Sequence, residues 1–175
     1  DLSSLVNLQS LVFEYFPQQI TSANLPPNLE NMSISNLYLR GDVELSGLTK
    51  LRSLEIGGAH TVLAAVKNIP PSLRSLKYTF PSIASRLNID RDMDLGNLIN
   101  LQTLVIRGRF TGKISNFPPS LLHLELTNFF QNKGEFLDLS HLTDLQYLKF
   151  CKQKMAEGKT FKLPSHSFKE SNFNF

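Results

Sequence analysis

The feature that most constrains this chain is a pair of sequence units that alternate from one end to the other. The first unit, called type A, reads DLSSLVNLQSLVF in its first copy, and its copies begin at Asp1, Glu44, Asp94 and Asp138. The second unit, called type B, reads LPPNLENMSI, IPPSLRSLKY and FPPSLLHLEL, and its copies begin at Leu25, Ile69 and Phe117. Strict alternation requires a further type B unit after Phe150, and residues 163–173 fit one with an extra residue. Such repetition predicts a solenoid in which each unit is one layer.

Both units end in an apolar-x-apolar pair, which predicts a short strand with two side chains inward and one outward. The first residue of each pair marks the repeat, and successive marks lie 20 to 28 residues apart. These positions are Leu11, Met32, Leu54, Leu76, Leu104, Leu124, Leu148 and, with a polar residue in the core position, Ser171. Stacked strands of this kind form a parallel sheet, which would be on the order of 35 Å long for eight strands.

The LxxLxxLxxLxI spacing of type A resembles the short repeats of the leucine-rich repeat superfamily. The PPSLxxLxL segment of type B resembles proline-containing repeats of bacterial leucine-rich effectors, amoebal FNIP-repeat proteins and fungal F-box leucine-rich proteins. This resemblance implies an α/β solenoid with a parallel β-sheet on its concave face and about eight repeats of 20–28 residues. We expect residues 1–175 to form one domain, cut from a longer repeat protein, with 151–175 as a degenerate last repeat.

One departure from the common leucine-rich pattern concerns the turn after the strand, where Asn or Cys is usual. The chain has Phe16, Leu37, Ala59, Pro81, Arg109, Phe129 and Gln153 at these positions. An asparagine ladder is therefore excluded, and the backbone groups of the turns need other partners.

The return segments of the two units predict a mixed convex side. The acidic residue before LxxLxxL in type A favours a short helical or 3₁₀ turn, with the Asp copies as N-caps. The Pro-Pro pair of type B favours an extended, polyproline-like run instead.

Catalytic and metal-binding signatures are missing, so we expect neither an enzyme nor a cofactor. The sequence has no GxSxG, HExxH, GxxxxGK[ST] or GxGxxG motif. Its four histidines lack zinc-site spacing, and Cys151 is read as an ordinary thiol. The alternating Asp90, Asp92 and Asp94 lack the glycine and distal Glu of a calcium loop, which favours a solvated loop.

Composition narrows the class of protein further. A net charge of +3, from 18 basic and 15 acidic residues, argues against a nucleic-acid partner. No apolar run approaches the roughly 18 residues of a spanning helix. The single cysteine excludes an internal disulfide, and no signal segment is visible, so we expect a cytoplasmic or nuclear protein.

Function is predicted to lie on the concave face, where three outward rows of side chains follow from the repeat. Aromatic residues and arginines are the usual anchors of protein contacts. The candidates are Tyr147, His123, Arg107, Arg109 and Tyr15, together with the charged Lys149 and Glu125. Tyr147, His123 and Arg107 fall on neighbouring strands, which favours the C-terminal half. In register, Glu55 should neighbour Lys77 and Glu125 should neighbour Lys149, and each pair would contribute under about 1 kcal/mol if exposed.

These observations favour a non-catalytic protein-interaction module with a protein partner and no small-molecule substrate. The resemblance makes a substrate-recognition segment of an F-box type ubiquitin ligase its most specific form. Two alternatives stay open: the targeting domain of an effector whose catalytic domain lies elsewhere, and a binder of nucleic acid or an acidic partner through the basic tail. That tail contains Lys152, Lys154, Lys159, Lys162 and Lys169.

Overall fold

The main element of the fold is a seven-stranded, all-parallel sheet. The computed structural model describes residues 1–14, 21–35, 44–57, 68–79, 92–110, 112–129, 137–150 and 161–165. The sheet runs in the order β1-β2-β3-β4-β6-β8-β10. Its strands are β1 Ser10–Glu14, β2 Asn31–Ser35, β3 Ser53–Gly57, β4 Ser75–Thr79, β6 Thr103–Phe110, β8 His123–Phe129 and β10 Tyr147–Phe150. Alternating type A and type B units therefore contribute successive strands, as the repeat predicts.

The register of the sheet confirms the predicted alignment of the repeats. The residues that immediately precede the seven repeat marks are aligned with one another across the strands. They are Ser10, Asn31, Ser53, Ser75, Thr103, His123 and Tyr147. At the start of each strand, one carbonyl of the preceding repeat accepts two consecutive N–H groups, as Glu30 does from Arg52 and Ser53 at 2.8 and 3.0 Å. No slip is tolerated, because a shift of one residue would turn the leucines outward.

Type A units return through two consecutive turns instead of a helix. In each copy the second and third leucines donate their N–H to the carbonyl three residues earlier, over 2.9 to 3.2 Å. Intervening N–H groups do not continue this pattern; that of Thr49, for example, bonds to Gly47 two residues back. The described helical structure is 3₁₀ in type: the turn Ser22–Asn24 precedes one type B unit, and Asn68 ends a turn before the next. The α component of the expected α/β class is therefore not confirmed.

The acidic residue at the start of type A closes the first turn, in the manner of the predicted N-cap. Asp94 Oδ1 accepts the N–H of Gly96 at 2.9 Å, and Asp138 Oδ1 accepts that of Ser140 at the same distance. Glu44 does the same for Ser46 at 2.8 Å. The pKa values of Glu44 and Asp138 are lowered, chiefly by serine hydroxyl groups, and that of Asp94 chiefly by the Gly96 N–H.

The Pro-Pro pair of type B forms a turn, so the predicted extended run is wrong at this point. The carbonyls of Pro26, Pro70 and Pro118 accept the N–H of the leucine three residues later at 3.1 to 3.4 Å. The second proline then occupies the turn position that its fixed φ favours. The residue after the second proline ties neighbouring repeats together: Ser72 and Ser120 each donate a hydroxyl to a carbonyl that precedes the strand of the preceding repeat, at 2.8 Å.

Opposite the main sheet, the described residues form short parallel pairs. They are β5 Met93–Asp94 with β7 Ile114–Ser115, β9 Leu137–Asp138 with β11 Phe161–Lys162, and an isolated bridge between Thr21 and Glu44. These pairs join the turns of type A units to the start of type B units.

Between the two sides lies a leucine core that runs through the stack. In the second type A unit Leu45, Leu48, Leu51 and Leu54 are all at most 1% exposed. At β1, which pairs with β2 alone, Leu8, Leu11 and Phe13 are only partly buried. No helix in the described part of the chain is long and apolar enough to cross a membrane.

Candidate functional site

The outward rows of the main sheet form a continuous polar surface, which we call the open face. Its central row reads Val12, Ser33, Glu55, Lys77, Val105, Glu125 and Lys149. Burial changes along this row: Val12 is 66% exposed, whereas Val105 is 5% and Glu125 is 3% exposed. The C-terminal half of the open face is therefore covered by its own side chains, and the N-terminal half is not.

Two aromatic rings stack on the C-terminal half of this face. His123 begins β8 and Tyr147 begins β10, and the register places them side by side. Their ring centroids lie 4.1 Å apart, and the ring planes differ by 12°. Both side chains are half-buried, so the pair presents a flat surface with an apolar body and polar edges.

Next to this stack, two cations hold a buried carboxylate. Glu125 accepts two parallel hydrogen bonds from the guanidinium of Arg107, each 3.0 Å long, through Nε to Oε1 and Nη2 to Oε2. The ammonium of Lys149 donates to the same Oε1 at 3.1 Å. The Glu125 side chain is 4% exposed, whereas those of Arg107 and Lys149 are 54% and 37% exposed. The cations thus cover the carboxylate and keep contact with water.

The charge state of this cluster follows from its contacts. Burial by itself would raise the pKa of Glu125, but the hydrogen bonds from Arg107 and Lys149 outweigh it and leave that pKa below its ordinary value. The same bond raises the pKa of the Arg107 guanidinium. Glu125 and Arg107 therefore stay charged near neutral pH. By formal charge, Arg107 and Lys149 together exceed Glu125 by one positive charge.

In contrast to Glu125, the imidazole of His123 is favoured in its neutral form. Burial lowers its pKa, and the positive charges of Arg107 and Lys77 act in the same direction against the attraction of Glu125. The imidazole is therefore uncharged at neutral pH, beside a positively charged cluster.

A break in strand pairing lies directly after Arg107. The register between β6 and β8 shifts between Arg107 and Phe110. Gly108 lies in this segment at a φ of 136°, which side-chain-bearing residues rarely adopt. Arg107 is thus the last outward residue of β6 before the irregularity, with its side chain turned to Glu125 on the next strand.

The structure brings together five of the seven predicted candidates, on β6, β8 and β10: Arg107, His123, Glu125, Tyr147 and Lys149. Tyr15 lies outside the described residues, and Arg109 is in β6 with its side chain outside the described part. Cys151 and residues 166–175 are also outside it.

Both predicted pairs of charged residues are neighbours in the sheet. Glu125, next to Lys149, is buried and also bonded to Arg107, so this pair is not an ordinary exposed one. Glu55 and Lys77 are aligned and both exposed, and the structure gives no ion pair between them. Lys77 was not among the candidates, although its place in the central row already indicated that it faces outward.

The aspartates that were compared with a calcium loop have hydrogen-bonding roles within the fold. The carboxylate of Asp92 accepts the N–H of Lys113 at 2.8 Å, and that of Asp94 accepts Gly96 N–H and the Asn116 amide. Among the described residues no group of three or more His, Cys, Asp or Glu side chains is arranged to hold a metal ion. A shallow groove of about 500 Å³ lies on the opposite side of the solenoid, where His141 bonds to the carbonyl of Phe117 at 2.9 Å.

No protein-family model matches this chain, and neither a curated protein nor a solved structure matches it. The class is defined by the fold alone: a parallel β-solenoid with an open, polar sheet face.

Proposed function

We propose that this chain is a leucine-rich repeat protein whose open face binds a protein partner through its C-terminal half. The observation that carries the proposal is the stacked pair of His123 and Tyr147 beside the charged cluster of Glu125, Arg107 and Lys149. Protein contacts are dominated by aromatic and arginine anchors in ordered surroundings. Here both kinds of anchor are held in place by neighbouring side chains, which lowers the entropy lost on binding.

The proposal includes an eighth repeat after Phe150. Its support is a hydrogen bond that recurs between each type A unit and the following type B unit. The N–H of the first leucine donates to a carbonyl just before the proline segment: Leu2 to Asn24 at 2.9 Å and Leu45 to Asn68 at 3.1 Å. Leu139 donates to Lys162 in the same way at 2.8 Å, and Pro164 is buried like the other prolines that begin these turns.

The narrower forms of the proposal concern the biological setting. A non-catalytic role as the substrate-recognition part of an F-box type ubiquitin ligase, in the cytoplasm or nucleus, is supported by the sequence resemblance. The two rivals are an effector's targeting domain and binding of nucleic acid through the basic tail. Nucleic-acid binding predicts steep salt dependence, whereas a partner held by aromatic contacts predicts a shallow one.

The test is affinity capture from a native lysate, followed by mass spectrometry, with two matched double variants. The face variant is His123→Ala with Tyr147→Ala. The control variant is Lys50→Ala with Ile99→Ala, two exposed residues in type A turns away from the open face. We expect the wild type and the control to retain the same proteins, and the face variant to lose them.

Thermal unfolding of the three proteins separates lost binding from lost folding. A partner that the face variant retains at wild-type level would contradict the proposal. Capture of nucleic acid alone would favour the rival based on the basic tail, and ubiquitin-pathway proteins among the captured set would support the ligase form.

A further inference from the structure

We propose that the C-terminal half of the open face recognises an acidic, extended peptide segment of its partner, with acidic residues at alternate positions. This inference rests on the proposed function and names the partner's chemistry. It follows from three features: the distribution of charge over the sheet, the geometry of Arg107, and the spacing of the cations.

Charge is unevenly distributed over the open face. On β4, β6 and β10 the outward charged side chains that the structure describes are Lys77, Arg107 and Lys149. The carboxylate between them, Glu125, is buried and already bonded to two of these cations. The exposed acidic residues, Glu14 and Glu55, lie on β1 and β3. On β4, β6, β8 and β10, three cations against one covered carboxylate leave a net charge of +2, which attracts an acidic ligand. Glu55, beside Lys77 on β3, offsets part of this charge at the edge of the patch.

Arg107 is prepared to receive a second carboxylate. Its bonds to Glu125 use Nε and Nη2, which form one edge of the planar guanidinium. The other edge, made by Nη1 and the second N–H of Nη2, points away from Glu125, on a side chain that is 54% exposed. Because the first carboxylate fixes the plane of the guanidinium, a peptide carboxylate meets donors that are already oriented.

The spacing of the cations matches an extended peptide that crosses the strands. Lys77 on β4 and Lys149 on β10 are separated by three strand steps, about 14 Å at roughly 4.8 Å per step. Arg107 is on β6, one step from Lys77 and two from Lys149, and its guanidinium reaches towards Glu125 on β8, nearer the middle of this span. In an extended peptide, side chains on one face recur about every 7 Å, so three alternate residues span about 14 Å. Acidic side chains at those three positions can each reach one cation. In a run of adjacent acidic residues, every second side chain would point away from the sheet.

The test measures fluorescence anisotropy of a short fluorescein-labelled peptide of alternating Glu and Thr. Lys77 suits substitution because it is exposed and has no ion pair with its neighbour Glu55 in the structure. We expect Lys77→Glu to weaken peptide binding by about tenfold or more and Lys77→Gln by an intermediate factor. The control Lys50→Glu makes the same charge change away from the face, and we expect less than about a twofold effect.

The contrary results are equally definite. Failure of the peptide to bind saturably, or an equal effect of Lys50→Glu and Lys77→Glu, would overturn the inference. A labelled single-stranded oligonucleotide that binds more tightly than the peptide would overturn it in favour of nucleic acid. In each case the proposed function stands separately, provided that capture of a protein partner still depends on His123 and Tyr147.

Discussion

At the scale of single residues, the important feature is a buried carboxylate whose cations remain in contact with water. Glu125 is taken out of solvent, which is costly unless the charge is paired, and Arg107 and Lys149 provide that pairing. The repeat pattern predicted that Glu125 faces outward beside Lys149. It could not predict the burial, because the contact with Arg107 runs diagonally across the sheet, next to the irregular segment at Gly108.

We expect Arg107→Met to destabilise the protein more than Glu125→Gln does. Loss of Arg107 leaves a buried carboxylate with one remaining cation, at a cost of about 2–4 kcal/mol. Loss of the Glu125 charge leaves two cations that can be hydrated, at about 1–2 kcal/mol. Urea unfolding measures both, with Arg52→Met as the control, because the Arg52–Glu30 pair is 3.9 Å apart and largely exposed. A larger loss of stability in Glu125→Gln than in Arg107→Met would show that the buried carboxylate is not stabilised by Arg107.

The lowered pKa of His123 gives a pH dependence of stability with a defined sign. Its folded pKa lies below the ordinary value of 6.5, so the unfolded chain binds more protons between the two values. The contribution of His123 to the free energy of unfolding is therefore fully present above pH 6.5 and is lost as the pH falls through the folded pKa. We expect denaturant unfolding of His123→Phe to lose less stability than the wild type between neutral pH and about pH 5. Parallel curves for the two proteins would contradict the buried, neutral imidazole.

At the scale of elements, the repeat specifies strands and register but not the form of the returns. The apolar marks predicted the pairing of all seven strands, because an inward apolar residue at each mark admits one register. The type A returns were predicted in part, as capped turns without a continuing helix, and the extended type B run was wrong. An acidic residue before LxxLxxL can begin a helix or a single turn, and Pro-Pro fits both an extended run and a turn. Stacking decides between them, because each leucine must point into the same core.

The acidic cap of a type A turn should contribute measurably to stability. Asp94 accepts a backbone N–H and the Asn116 side-chain amide, so we expect Asp94→Ala to cost about 1 kcal/mol. Asp144→Ala is the matched control, since Asp144 is an exposed aspartate in a later type A unit, and we expect a change within about 0.5 kcal/mol. Chemical denaturation of both variants provides the comparison. Equal losses of stability in the two variants would contradict a capping role for Asp94.

At the scale of the whole molecule, stability is distributed along a stack in which each layer contacts its neighbours. The leucines of β3, β4, β6 and β8 are covered by strands on both sides, whereas β1 has one neighbouring strand in the sheet. Of the strands that carry the proposed binding surface, β6 and β8 have a neighbouring strand on both sides, whereas β10 pairs with β8 alone in the described sheet.

Core truncations should therefore differ with position in the stack. Leu104 is 0% exposed between β4 and β8, and we expect Leu104→Ala to cost about 3–5 kcal/mol. Leu11 has the same role on β1 but is only partly buried, so Leu11→Ala should cost about 1–2 kcal/mol. Equilibrium unfolding of the two variants gives the difference, and similar losses would contradict a stack built from nearest-neighbour contacts.

The most direct test of the account is the affinity of the open face for a purified partner obtained by capture, measured by titration calorimetry. We predict that His123→Ala with Tyr147→Ala raises the dissociation constant about thirtyfold or more, with folding intact, as expected for hot-spot residues. Lys50→Ala with Ile99→Ala should leave it within about twofold. Equal affinities for the two double variants would contradict the claim that the stacked pair and its charged neighbours form the binding surface.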